Sequence, residues 1–185
     1  MPRPKITIEE YRKRLDKIPE IEFARLAAYI DGEGCIAISG SSKPRGRGVS
    51  PYHNLQVTVT NTYLPLFDWI ASRFGGRPVI ANSNYGKPNT KQCYRWVISE
   101  IHGEELLRRC MPYFIIKAEQ ARIGLAFRDI KRRKFDQFHN GPLTEDVIRQ
   151  RDELQQQISD LNSVKGFGAR KLRNQVTVSD TDKVQ

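Results

Sequence analysis

Apolar positions along the chain recur with two periods, and the switches between them mark the elements. After Pro19, residues 20–31 carry a helical pattern, which breaks at Gly32-Glu33-Gly34. Residues 35–39, Cys-Ile-Ala-Ile-Ser, read as a strand, and the Gly-, Ser- and Pro-rich segment 40–51 reads as a loop. Leu55, Val57 and Val59 alternate with Gln56, Thr58 and Thr60, the period of a strand with one buried face. Tyr63, Leu66, Phe67, Ile70 and Phe74 return to helical spacing until Gly75-Gly76 ends the run. Two further strands are predicted near 78–82 and 93–99, joined by a polar turn. A short helix follows over 104–110. Phe114, Ala118, Ala121 and Leu125 then predict a long helix reaching about Lys134. After Gly141-Pro142, Thr144 is placed to cap a last helix, with Leu143 and Ile148 at the positions of a hydrophobic staple. Val147, Leu154, Ile158 and Leu161 form its apolar stripe.

This order predicts an α+β fold, an αββαββα unit followed by C-terminal helices. Its four-stranded antiparallel sheet has helices on one face and a free polar face. Residues 1–18 read as a basic N-terminal extension, 19–162 as the domain, and 163–185 as a flexible basic tail without periodicity.

Charge adds a partner. Lys and Arg number 31 against 21 Asp and Glu, a net of +10. Between Gly34 and Ser99 eight basic residues meet a single acid, Asp68, so +7 of that charge falls on the predicted sheet. Acids are nearly excluded where a phosphate backbone would lie. A polar face on a curved sheet suits a DNA major groove. Ser39, Lys43, Arg45, Arg47, His53, Gln56, Arg77, Asn82, Asn84, Lys91 and Arg95 are the candidate contacts to bases and phosphates. Cys35, Cys93 and Cys110 are odd in number, widely spaced and without zinc-ligand pattern, which points to an intracellular, reducing compartment. No apolar run is long enough to span a bilayer, and the N-terminus has no signal-peptide core.

The chemistry concentrates in Leu26-Ala27-Ala28-Tyr29-Ile30-Asp31-Gly32-Glu33-Gly34. Ala24 and Ala28 share one helix face, where a second helix can approach closely. Asp31 and Glu33 sit at the C-terminal end, against the helix dipole, a conflict that a divalent cation with hard oxygen ligands would relieve.

These nine residues resemble the motif of the LAGLIDADG homing endonucleases, with Ala28 in place of the usual central Gly and Glu33 in place of the last Asp. The segment 112–121, PYFIIKAEQA, is similar to the one that supplies a lysine to the catalytic region of that family. The resemblance covers about three quarters of the chain and implies a metal-dependent, site-specific DNA endonuclease. It implies Mg2+, with Mn2+ as a substitute, held by Glu33 and the Gly32 carbonyl. It implies charge neutralisation by Lys117 and a water-orienting Asn61. The family's basic residue shortly after that polar position is missing, since Tyr63, Leu64 and Pro65 follow; Arg95 or Lys91 would have to serve. One motif in the chain implies a homodimer through Ala24, Ala27, Ala28 and Asp31, acting on double-stranded DNA with a pseudo-palindromic target.

Two other functions use the same residues. One is an RNA-splicing maturase or a non-cleaving DNA-binding protein on this scaffold. The other is a non-catalytic dimerisation module, which leaves the Asp31 and Glu33 acids without a purpose. His53-Asn54 and His139-Asn140 are fragments of an HNH site, but three scattered histidines do not complete one.

Overall fold

The computed structural model describes residues 6–41, 52–81, 91–137 and 143–163. A helix begins earlier than the hydrophobic periodicity indicates. Thr7 and Glu10 close a reciprocal capping box at the start of α1 (Ile8–Leu15). Tyr11 and Leu15 of α1 are buried, and the Tyr11 hydroxyl donates to the Phe74 carbonyl. Within the segment expected to be an extension, α1 therefore packs onto the core.

The motif helix α2 (Glu20–Glu33) runs through Gly32-Glu33, where a break was expected, and stops at Gly34, whose N–H still bonds the Ile30 carbonyl. Gly34 is in ordinary extended backbone, so space rather than torsion selects glycine there. A Cβ would lie 2.7 Å from Ile30 Cα and 2.8 Å from the Thr58 carbonyl oxygen, both backbone atoms. The chain passes directly into β1 (Gly34–Ser41), which pairs antiparallel with β2 (Tyr52–Asn61), Gly34 opposite Val59.

Tyr63 leads into α3 (Leu64–Phe74), with Pro65 in its first turn, and Gly75 at φ 81° ends it. The strand predicted at 78–82 shortens to β3 (Val79–Ile80), paired with β4 (Tyr94–Ser99). The sheet order is β1-β2-β4-β3, four antiparallel strands as expected.

α4 (Glu100–Cys110) starts four residues before the predicted helix. A 3-10 turn (Met111–Tyr113) then separates it from α5 (Ala118–Gln137). The expected helical start at Phe114 is corrected: residues 114–117 precede the helix, for a reason that lies in the site. The last helix is α6 (Glu145–Ser163), with Ile158 buried and Leu161 exposed.

The core lies between one sheet face and the helices. Ile36, Ile38, Leu55, Val57, Val59, Trp96 and Ile98 meet Phe23, Leu26, Ile30, Phe67, Phe127 and Leu107. Truncating such a side chain to alanine typically costs about 2–5 kcal/mol. α6 covers the outer edge of the sheet: Asn162 donates to the Ile36 carbonyl and Gln155 to that of Ile38, each at 3.0 Å, in place of a neighbouring strand. Between α4 and α5, buried Glu104 accepts from Arg108 and Arg128 and pairs with Arg132.

Candidate active site and nucleic-acid face

The β2 register decides which side chains look outward. His53, Leu55, Val57 and Val59 are buried, whereas Asn54, Gln56, Thr58 and Thr60 are not. Across the strands, Cys35 lies beside Thr58 and Val97, Ala37 beside Gln56, and Thr60 beside Arg95. The open face therefore holds Ser39, Gln56 and Arg95 of the predicted set. Thr58 and Thr60, which the alternation already marked as outward, belong with them. The Ser39 and Thr58 hydroxyls turn to the carbonyls of Asn54 and Cys35. Among the described residues, Gln56 and Arg95 have no polar partner. Arg77 and Lys91 are exposed in the connections. Lys43, Arg45, Arg47, Asn82 and Asn84 lie outside the described residues.

His53 is a correction. Its side chain is on the helix-covered side, 1% exposed, with Nε2 2.8 Å from Asp152 of α6. A period of two places residue 53 with Leu55, not with Gln56.

At one end of this sheet, α2 delivers its last residues. Glu33 and Gly32 are exposed, and among the described residues no side chain pairs with the Glu33 carboxylate. Space around Gly32 is open, with no atom within 4 Å of where a Cβ would stand. Asp31 behaves otherwise. Its carboxylate is buried and accepts three backbone N–H groups, from Ile115 and Lys117 at 2.8 Å and from Ile116 at 3.2 Å. This fixes the bent segment 115–117 and places a negative group before the first turn of α5, where the Ala121 N–H bonds the Lys117 carbonyl. Of the two acids set against the α2 dipole, Asp31 is thus relieved by a second helix. Glu33 alone remains for a cation.

The same contact places Lys117. Its ammonium reaches back 2.5 Å to the Asp31 carbonyl, two residues from Glu33. Asn61 ends β2 just past the Gly34–Val59 pair, so pairing carries it to the same end. Its Oδ1 accepts the Tyr63 N–H at 2.9 Å, which leaves the amide nitrogen as a donor. Arg95, opposite Thr60, lies at that end too. The fold therefore gathers Glu33, Gly32, Lys117, Asn61 and Arg95. Among the described residues, no group of three or more His, Cys, Asp or Glu could hold a metal within one chain. The donor set is one free carboxylate and exposed backbone carbonyls, hard oxygens that suit Mg2+ but need completing from elsewhere.

Two of the predicted interface residues are corrected. Ala27 is fully buried in the core of its own chain, and Asp31 is occupied as described. Ala24 and exposed Ala28 remain on the outer face of α2, together with Ile21 and Gly32. No helix among the described residues is long and apolar enough to cross a membrane.

Comparison with known proteins places this geometry. No family model matches, and no curated protein sequence does. Solved structures do. The homing endonuclease I-CvuI, in complex with target DNA, superposes with a TM-score of 0.60 at 18% identity, over 85% of this chain and 94% of that one. The archaeal intron-encoded homing endonuclease I-Vdi141I, complexed with DNA, gives 0.60 at 15% identity over the same shares. The meganuclease I-SmaMI bound to DNA gives 0.56 at 16% identity, over 84% of this chain but 46% of that one. The chain has the fold of the LAGLIDADG homing endonucleases.

Proposed function

We propose that this chain is a site-specific endonuclease for double-stranded DNA, acting as a homodimer with Mg2+ or Mn2+. The observation that carries the reading is the Glu33 carboxylate, without a partner among the described residues, two residues from the Asp31 carbonyl that tethers the Lys117 ammonium, at the end of an open polar sheet face. The DNA complexes of I-CvuI and I-Vdi141I support the substrate class, and I-CvuI complexes obtained in the presence of Mg and of Ca support a divalent cation.

Glu33 and the Gly32 carbonyl would hold the metal, which when bound activates water and stabilises the leaving oxygen. Lys117 brings a positive charge to the scissile phosphate, held there by Asp31 rather than by its own flexible stem. Asn61 offers an amide N–H to orient the attacking water. Arg95, opposite Thr60 on the open face at this end of the sheet, takes the basic role that Tyr63 and Leu64 do not fill. Gln56, Ser39, Thr60 and Arg77 contact bases and phosphates along the groove.

One chain supplies one free acid, and cutting two strands requires two such sites. A copy of itself packed on Ala24 and Ala28 provides the second, and its twofold axis asks for a pseudo-palindromic target. The chain spans less than half of I-SmaMI, so that protein is long enough to hold a second unit of the same size.

The test is incubation of the purified protein with Mg2+ and DNA spanning the insertion junction of its gene. Double-strand cleavage at one place is expected. Tight binding without cutting, in Mg2+ and in Mn2+, would leave a non-cleaving binding protein instead.

A further inference from the structure

The outer face of α2 is flanked by two unlike surfaces. Taking about 100° per residue, Ile21, Ala24, Ala28 and Gly32 form one stripe along the helix. Tyr29 lies about 80° to one side of Ile21, and Asp31 about 80° to the other. On the Tyr29 side is a shallow groove of about 290 Å³ lined by Arg25, Tyr29, Tyr63, Pro65, Leu66 and Trp69. On the Asp31 side is the segment that Asp31 binds, and its Ile115 and Ile116 are 89% and 67% exposed. Tyr29 and Asp31 differ by about 3 Å along the helix axis, so groove and isoleucines stand at nearly one level.

A twofold axis parallel to α2 exchanges left flank for right. It sets the isoleucines of each copy against the groove of the other, twice, at the same level. A twofold perpendicular to α2 would instead face groove to groove and isoleucine to isoleucine. Only the parallel arrangement matches an apolar projection to an aromatic-lined recess, and it also brings both Glu33 ends together.

Resting on the dimer proposed above, we infer that Ile115 and Ile116 of each subunit dock into the Tyr29–Tyr63–Trp69 groove of the other. The consequence is functional. Ile115, Ile116 and Lys117 are consecutive and share Asp31 as anchor, so docking adds a second hold, from the partner, on the segment that carries the catalytic-region lysine. Assembly and cutting are thereby coupled. An isolated subunit bound to a half-site leaves the segment undocked.

Engineered cysteines test the arrangement in the full chain, with Cys35 and Cys93 changed to serine. Ile116→Cys and Tyr63→Cys replace exposed side chains, and circular dichroism verifies the fold of each. Under mild oxidation, each single variant should stay largely uncross-linked, whereas an equimolar mixture should convert most of the mixed dimers to a covalent species. Cross-linking of either single variant with itself, or no cross-link in a mixture that sediments as a dimer, overturns the docking and leaves the dimer standing. Sedimentation as a monomer, with and without target DNA, overturns both.

Discussion

Asp31 and Lys117 hold each other by their backbones. The Asp31 carboxylate accepts the Lys117 N–H at 2.8 Å, and the Lys117 ammonium donates to the Asp31 carbonyl at 2.5 Å. The end of α2 and the start of α5 are locked together by a residue pair 86 positions apart in the chain. Asp31→Asn keeps the shape but turns one acceptor into a donor facing an N–H. Charge-assisted bonds and a buried group left unsatisfied put the cost at about 2–4 kcal/mol. Urea denaturation should show the midpoint fall, and the folded variant should cut more slowly. An unchanged midpoint would mean that this carboxylate does not hold the two helices.

Glu33→Gln removes a charge from an exposed side chain with no partner among the described residues, so the fold should survive. Cleavage should be lost while target affinity stays within about tenfold, or 1.4 kcal/mol. Lys117→Ala should slow single-turnover cutting by about 10²–10³, more than it weakens binding. Gel shifts and nicking assays separate the two effects, and retained cutting by Glu33→Gln would remove that residue from the metal site.

Ala28→Leu places a larger side chain on the exposed stripe of α2, where the subunit itself has room. The monomer fold should be unaffected. A close helix contact with a second copy should lose about 1–3 kcal/mol to overpacking. Sedimentation equilibrium should report weaker association, and double-strand cutting should fall in parallel. Undiminished association would place the dimer contact elsewhere.

DNA binding should weaken steeply with salt. With six or more phosphates neutralised per dimer, the plot of log K against log salt has a slope of about −5 or steeper. A slope near −1, measured by fluorescence anisotropy, would contradict contact along the length of the sheet.

Glu104 predicts acid sensitivity. Burial opposes its ionisation, but hydrogen bonds from Arg108 and Arg128 and the charge of Arg132 prevail, holding it below its ordinary value of 4.5. A carboxyl depressed in the folded state contributes its full stability above the unfolded value and loses it as pH falls through the folded one. Wild-type stability should therefore drop below about pH 4.5. Glu104→Gln, less stable at neutrality, should lose less over that range in urea titrations.

Much was legible because periodicity is local. Alternation in 55–60 announced both faces of β2, and the same parity applied to His53 would have turned it inward. The wheel likewise separates Ala27 from Ala24 and Ala28. Helix α1 escaped because only two of its side chains, Tyr11 and Leu15, are fully buried, while its capping box at Thr7 and Glu10 was present to be noticed.

By itself, the sequence determined the strand and helix order from α2 onward, the basic stretch from Gly34 to Ser99, and Glu33, Lys117 and Asn61 as the residues of interest, since period, charge and motif are properties of neighbours along the chain. The tertiary structure alone decided what the two acids do. Asp31 and Glu33 are two residues apart and chemically alike. One turns under α5 and satisfies three N–H groups more than 80 positions away, and the other is left free in solvent. No local pattern distinguishes them, because the partners that do are brought close only by packing.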